Sequence, residues 1–512
     1  MPVVTSTIGH KCPCSQGEHL KNKKKYFVLP IVGLAIASLA VAGTPVSAKK
    51  AAPQSAKKAT CPAKIDTTLD KTAGKNAGAV EQQLACGEAK PLKAAGEPIL
   101  IGMMNPEGNP AGNFPEYTVA AKAAVDYINN ELGGIGGNTA KGIAGRPLQL
   151  EVCKFGFVTP AENIGCATQL AAKKPLAVFS SLNALGIHFD ILTKAGIPVI
   201  VGTPITAADF TKAGVFAIGG GGGCLGVHTG LVHFATQELM KGKGVKKPAV
   251  LGIPWANTPP GVFCFKDLEE KPVNVLNGTV TKSDSKLKGK MPKLTSVGVP
   301  IIPGSTSVDA DATKVLEAKP DAIIYSAQGA DCWTFVRSLI KLKWNPAKTP
   351  TALSGACIDL TTMKKLGKKI DGIYTVGAAS ILDPKSLKGQ MRREAELYAA
   401  KMAKYATDQT ATGKGFGTQG FLGIMNIWEQ MNLAGGASAT GANVVTQFGK
   451  TKNNHAFAGT PMSCTKGLAP YVAVCNATVS ASRWDAKTKE LKEVKADFNG
   501  LDLVAGTDLI LK

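Results

Sequence analysis

The run Pro98-Ile99-Leu100-Ile101-Gly102-Met103-Met104 opens the folded part of the chain, and a polar loop rich in Gly and Pro, 105–114, follows it. An uncharged apolar run that stops at turn residues reads as a strand buried on both faces. From it, helices and strands alternate. A helix over 116–131 precedes a strand at 148–152, a helix over 161–173 a strand at 177–180, and a helix over 187–195 a strand at 198–201. A strand at 215–218 then meets five glycines, 219–223, and the pattern restarts. The second series runs helix 225–240, strand 249–253, helix 262–269, strand 297–302, helix 310–317, strand 322–326, helix 332–342 and strand 351–354. Short apolar strands separated by helices predict parallel sheets covered on both faces, and two such series predict an α/β fold of two doubly wound lobes. A strand at 372–376, an amphipathic segment at 386–405 and a helix at 419–434 follow; strand-like pieces near 471–475 and 491–494 flank a turn at 484–489.

The ends of the chain read differently. A basic stretch, 21–25, leads into an apolar run, 26–42, and then Val46-Ser47-Ala48, so residues 1–48 read as an export signal with a small-x-small cleavage site. The apolar run is shorter than the roughly 20 residues that span a bilayer. Residues 49–96, rich in Ala, Lys, Gly and Thr, have no sustained hydrophobic period and read as a flexible tether. Net charge is +22, yet only five of 59 basic residues are Arg and aromatic content is 6%. Scattered lysines without Arg forks or stacking aromatics argue against nucleic-acid binding and for a solvated surface beside an anionic cell envelope. Of twelve cysteines, Cys12 and Cys14 leave with the signal; ten remain, an even number that implies disulfides in an exported chain. The sequence holds no zinc or redox spacing, and His228 and His233, five apart, point to different helix faces, so neither metal nor cofactor is expected.

In doubly wound sheets ligands bind beyond the carboxyl ends of the strands. That rule selects the loops 105–114, 181–186, 202–207, 254–260, 327–331 and 355–359, and makes Asn105 and Phe114 candidate ligand contacts. Their Asn, Thr, Ser, Gln and aromatic residues suit a small polar molecule. Enzyme motifs are absent: there is no G-x-S-x-G, H-E-x-x-H or G-x-x-x-x-G-K-[ST]. Gly221, Gly223 and Gly226 fit G-x-G-x-x-G, but they fall where one lobe gives way to the next, which a hinge explains better than a dinucleotide site.

Three stretches resemble the type I periplasmic binding proteins, specifically the branched-chain amino-acid-binding receptors of ABC transporters. These are Ala120-Ala121-Lys122-Ala123-Ala124-Val125-Asp126-Tyr127-Ile128-Asn129, the turn Gly133-Gly134-Ile135-Gly136, and Gly145-Arg146-Pro147-Leu148-Gln149-Leu150. Lys194-Ala195-Gly196-Ile197-Pro198 and Lys319-Pro320-Asp321-Ala322 are similar in kind. The resemblance implies a three-strand hinge, with the first lobe holding 97–221 and 378–465 and the second 222–377 and 466–512. It also implies ligand contacts at Asn183, Thr203, Thr206, Trp255, Thr258 and Gln328. Where amino-acid binders place an acidic residue for the ammonium group, this chain reads Ser354-Gly355-Ala356-Cys357, which leaves Asp331 or Asp359 as substitutes.

The spacing of the cysteines along the sheet edges leads us to pair Cys61 with Cys86, Cys153 with Cys166, Cys224 with Cys264, Cys332 with Cys357 and Cys464 with Cys475. The function implied is a non-catalytic, monomeric solute-binding protein, periplasmic or extracellular. It would close on an amino acid or a related amide or carboxylate and present it to an ABC permease in the membrane. An extracellular sensor or envelope interaction module without a permease, or a secreted enzyme, are the alternatives.

Overall fold

The computed structural model describes residues 67–85, 89–241, 248–378, 381–464 and 471–507. The export signal and the Cys61–Cys86 pairing lie outside the described residues. Twelve strands form two sheets. The first holds β1 (Ile99–Pro106), β2 (Leu148–Phe155), β3 (Ala177–Ser180), β4 (Val199–Val201) and β5 (Val215–Ala217), all parallel, in the order β2-β1-β3-β4-β5. The second holds β6 (Ala249–Ala256), β7 (Leu294–Ile301), β8 (Ala322–Tyr325), β9 (Thr351–Ser354), β10 (Tyr374–Gly377), β11 (Thr478–Asp485) and β12 (Glu490–Asn499). Its order is β12-β11-β10-β9-β8-β6-β7, with β6 to β10 parallel and β11 and β12 joined as an antiparallel hairpin on one edge. Both sheets reverse strand order beside their first strand, between β1 and β3 and between β6 and β8.

Each sheet is buried on both faces by helices. β3, β4, β8 and β9 are buried at every residue, which is why their apolar runs are continuous rather than alternating. In the first lobe the helix Pro115–Glu131 turns a row of alanines, Ala120, Ala121, Ala123 and Ala124, toward the helix Gly415–Leu433. The two come so close that a Cβ on Gly420 would sit 2.4 Å from the Tyr117 carbonyl oxygen. Trp428 fixes the glycine turn at the end of the first helix by donating from Nε1 to the Gly134 carbonyl at 2.9 Å.

The chain passes between lobes three times. The first crossing is the glycine run, where Gly221 and Gly222 have φ of +78° and +61°, and a Cβ on Gly222 would meet the Asn476 carbonyl at 2.7 Å. The second follows β10 at Ala378, whose Cβ lies 2.5 Å from the position a Cβ would take on Gly220. Glycine is needed here because three backbones converge and left-handed conformations are required. The third crossing comes later than the expected boundary at 465. Cys475 N still donates to Ala217 O at 3.0 Å, along the edge of β5, and the chain enters the second sheet only at Thr478.

Two further expectations change. The tether is folded in part: the helix Ala77–Ala85 packs on the first lobe, with Asn76 buried and donating to Leu132 O at 3.1 Å. One helical turn of buried Ala79 and Val80 is too short to give a sustained period. The piece at 471–475 is no strand; Val474 makes one isolated bridge to Ala217. The strand lies beyond it, at β11. Among the described residues no helix is long and apolar enough to cross a membrane.

Candidate functional site

A cavity of about 180 Å³ lies between the lobes, and every parallel strand feeds it from its carboxyl end. The first lobe contributes Phe114 after β1, Phe157 after β2, Leu182 after β3, Thr203 after β4 and Gly220 after β5. Thr258 follows β6, Pro303 β7, Gln328 β8, Gly355 β9 and Ala378 β10. The cavity therefore faces both points where strand order reverses, the places where a helix on either side leaves a crevice.

Phe114, Thr203, Thr258, Gln328 and Asp331 all line this cavity. Thr258 is set by its helix: as N-cap of Pro259–Phe265 it accepts from Gly261 N at 3.1 Å, with Pro259 in the first helical position. Thr203 Oγ1 pairs with the buried Tyr117 hydroxyl at 2.8 Å. Phe114 stands edge-on to Phe416, centroids 4.9 Å apart, and to Phe157 at 5.9 Å.

Asn105, Asn183, Thr206 and Trp255 do not line the cavity, each for a local reason. Asn105 is buried beneath it, donating to Phe114 O at 2.9 Å and accepting from Ser181 Oγ at 2.6 Å, so it holds the loop that carries Phe114. Asn183 Oδ1 accepts from Leu185 N at 3.0 Å and turns the β3 loop. Thr206 is spent on a capping box with Asp209. Burial raises the Asp209 carboxyl to about 6, opposed by hydrogen bonds from Ile205 N, Thr206 Oγ1 and Thr206 N. Trp255 stacks on Phe265 at 5.2 Å and 4° between planes. Asp359 is an N-cap, accepting from Thr362 N at 3.0 Å.

The sequence reading missed other lining residues. Phe157 follows a strand that runs three residues past its expected end at 152. Phe416 occupies the first turn of a helix expected to begin at 419. Ser480 and Ser482 lie on the unanticipated β11, and Thr375 lies opposite Ser482 on β10. The polar alternation Ser480, Ser482 among Val479 and Ala481 was the available signal for that strand.

Two titratable side chains line the cavity, and both are engaged by the protein. Asp331 Oδ1 accepts from Gly304 N at 2.9 Å and Oδ2 from Gln328 Nε2 at 2.8 Å; burial raises its carboxyl while these two bonds pull the other way. His228 Nδ1 lies 2.9 Å from Oε1 of Glu269, a carboxyl that burial pushes up and His228 draws back down. Cys224, His228 and Cys264 place ligand-type atoms within 4.8 Å of one another. The two sulfurs are joined in a disulfide, so no thiolate is left for a metal.

The lobes touch at both rims of the cavity. Gln328 Nε2 donates to Pro110 O at 3.0 Å, and Gln328 Oε1 accepts from Asn113 N at 3.4 Å. On the other rim Gly415 N donates to Ile358 O at 3.0 Å, beside a bridge between Asp359 and Lys414. Both second-lobe contacts sit on loops tied together by Cys332–Cys357. Cys224–Cys264 joins the helix that leaves the glycine crossing to the helix capped by Thr258. Cys153–Cys166 and Cys464–Cys475 are also bonded, the latter within the third crossing.

Two parallel-sheet lobes, three crossings and a strand-end cavity define the architecture. The fold is that of the type I periplasmic binding proteins. A fatty acid ABC transporter substrate-binding protein from Thermomonospora curvata superposes with a TM-score of 0.59 at 16% identity, covering 83% of this chain and 97% of that one. A leucine-binding protein from Thermotoga maritima gives 0.57 at 12% identity, with 78% and 99% covered. A solute-binding protein of a Rhodopseudomonas palustris ABC transporter, in complex with 4-hydroxybenzoate, gives 0.55 at 13%, with 79% and 97% covered. No protein-family model matches the chain, and no curated protein matches it in sequence. The likeness to these binding proteins is thus one of fold, the type I periplasmic binding protein fold.

Proposed function

We propose that this chain is an exported solute-binding protein that captures a small molecule by closing its two lobes and delivers it to the permease of an ABC importer. The observation that carries the reading is a cavity walled by strand-end loops of both lobes and ringed by lobe-to-lobe hydrogen bonds. Such a space is assembled only when the lobes meet, so a ligand must enter while they are apart. Binding then stabilises the closed form by its differential affinity for it. The bonded cysteine pairs and the signal-like first 48 residues support export. Affinity on this reading comes from desolvated contacts, without bond-making, and the closed form is what the permease recognises.

The test is a thermal-shift screen over amino acids, amides, small carboxylates and aromatic alcohols, followed by small-angle scattering with and without each hit. A saturable ligand that raises Tm and reduces the radius of gyration is expected. A screen in which no compound shifts Tm, or a ligand that binds without compaction, would refute capture by closure. Delivery is tested separately, by uptake into vesicles carrying a permease and its ATPase subunits.

A further inference from the structure

We infer that the captured ligand is an uncharged molecule with an apolar body about the size of one aromatic ring and a hydroxyl or carbonyl oxygen at one end. Its body lies against the first lobe and its oxygen against the second. The inference rests on the capture reading and adds the chemistry of what is captured.

Both walls carry apolar side chains, Val227, Pro260, Pro303 and Ile358 among those of the second lobe, and the first lobe adds the Gln419 amide; the walls differ in their aromatic rings and their hydroxyls. The first lobe supplies Phe114, Phe157, Phe416, Leu182, Ile205 and Leu382. Its hydroxyls are already engaged: Thr203 with Tyr117, and Thr418 donating to Gly415 O at 2.6 Å. The second lobe supplies Ser326, Ser354, Thr375, Ser480 and Ser482. Thr375 and Ser482 pair directly across β10 and β11, whereas Ser354 pairs with Val376 and so projects from the other face of the sheet; Ser480 Oγ accepts from Asp497 N at 3.3 Å and Ser354 Oγ lies 3.5 Å from Cys357 Sγ. A hydroxyl both donates and accepts, so the pair Thr375 and Ser482 matches a neutral oxygen. A carboxylate can only accept and an ammonium only donate.

Charge points the same way. No Lys, Arg or Glu lines the cavity among the described residues, and its Asp331 and His228 already face protein partners. An ionised group closed in here would be desolvated without a counter-charge, which strongly disfavours it. The ammonium partners expected from the sequence, Asp331 and Asp359, are thereby committed elsewhere. In size, an apolar protein cavity of about 150 Å³ holds benzene, so the 180 Å³ here admits a ring with a short polar substituent.

The experiment is isothermal titration of the full chain with one ring in five derivatives: neutral benzyl alcohol and toluene, anionic benzoate, cationic benzylamine and zwitterionic phenylalanine. Benzyl alcohol is expected to bind at least tenfold more tightly than benzoate, benzylamine or phenylalanine. Thr375→Val and Ser482→Ala should each weaken benzyl alcohol at least threefold while leaving toluene unchanged. Tighter binding of any charged probe overturns the ligand class and leaves capture standing. Failure of all five also overturns it, and capture itself falls only if the broad screen is negative too. Equal weakening of benzyl alcohol and toluene by Thr375→Val would show a general packing effect and remove the hydroxyl pair from the argument.

Discussion

At the scale of single residues, the buried histidine beneath β3 has the clearest thermodynamic consequence. His188 is fully buried, with Nε2 3.1 Å from Ser180 Oγ, and burial lowers its pKa from 6.5 to about 3. The folded chain keeps this ring neutral while the unfolded chain protonates it below 6.5. Its contribution is therefore complete above pH 6.5 and is lost as the pH falls toward 3, by about 1.4 kcal/mol per pH unit. His188→Gln should remove that dependence. Urea unfolding at pH 6.5 and 5.0 should show the native chain losing about 2 kcal/mol more than the variant; equal losses would contradict a neutral buried ring. Nothing in the sequence around Ile187-His188-Phe189 distinguishes this histidine from an exposed one, because its burial is imposed by the sheet above it.

At the scale of elements, what was legible depended on how uniform each face is. β4 and β8 are apolar throughout, and β1, β3 and β9 carry polar residues only at their ends, so these strands declared themselves. β11 did not, because Ser480 and Ser482 face the cavity and polar residues on a buried face look like a loop. The strand-end rule reached the loops that carry Phe114, Thr203, Thr258, Gln328 and Asp331, and within them the family resemblance singled out Thr203, Thr258 and Gln328. It could not reach Phe416, which arrives from a helix far along the chain, or Thr375, which lies inside a strand. The disulfide Cys332–Cys357 spans 25 residues and ties the two second-lobe loops that meet the first lobe. Replacing both cysteines by Ser should cost about 2–4 kcal/mol in unfolding free energy by denaturant titration. A loss under about 0.5 kcal/mol would mean that packing alone holds the two loops.

For the whole molecule, closure is governed by a small number of contacts at the rims. Gln328 contributes one hydrogen bond to Pro110 and a long one to Asn113, both at the solvent-exposed mouth. Each such bond contributes about 0.5–1.5 kcal/mol. Gln328→Ala should therefore weaken ligand binding about threefold to tenfold by calorimetry, with the unfolding midpoint nearly unchanged. Unaltered affinity would show that the rim contact plays no part in holding the lobes together. The two-lobe plan itself was readable because the glycine run 219–223 interrupts the alternation once, midway. The position of the third crossing was not, because Tyr471-Val472-Ala473-Val474-Cys475 has the apolar signature of a strand yet makes only one isolated bridge, from Val474 to Ala217, before the chain leaves the first lobe.

Gln328 grips the first lobe through main-chain atoms only, the Pro110 carbonyl and the Asn113 amide. Side chains in that loop are consequently unconstrained by the grip, and Ala111, between the two anchor points, looks into the cavity. Substitutions there can change the cargo while the clasp stays the same, so recognition and closing are separable traits in a single loop.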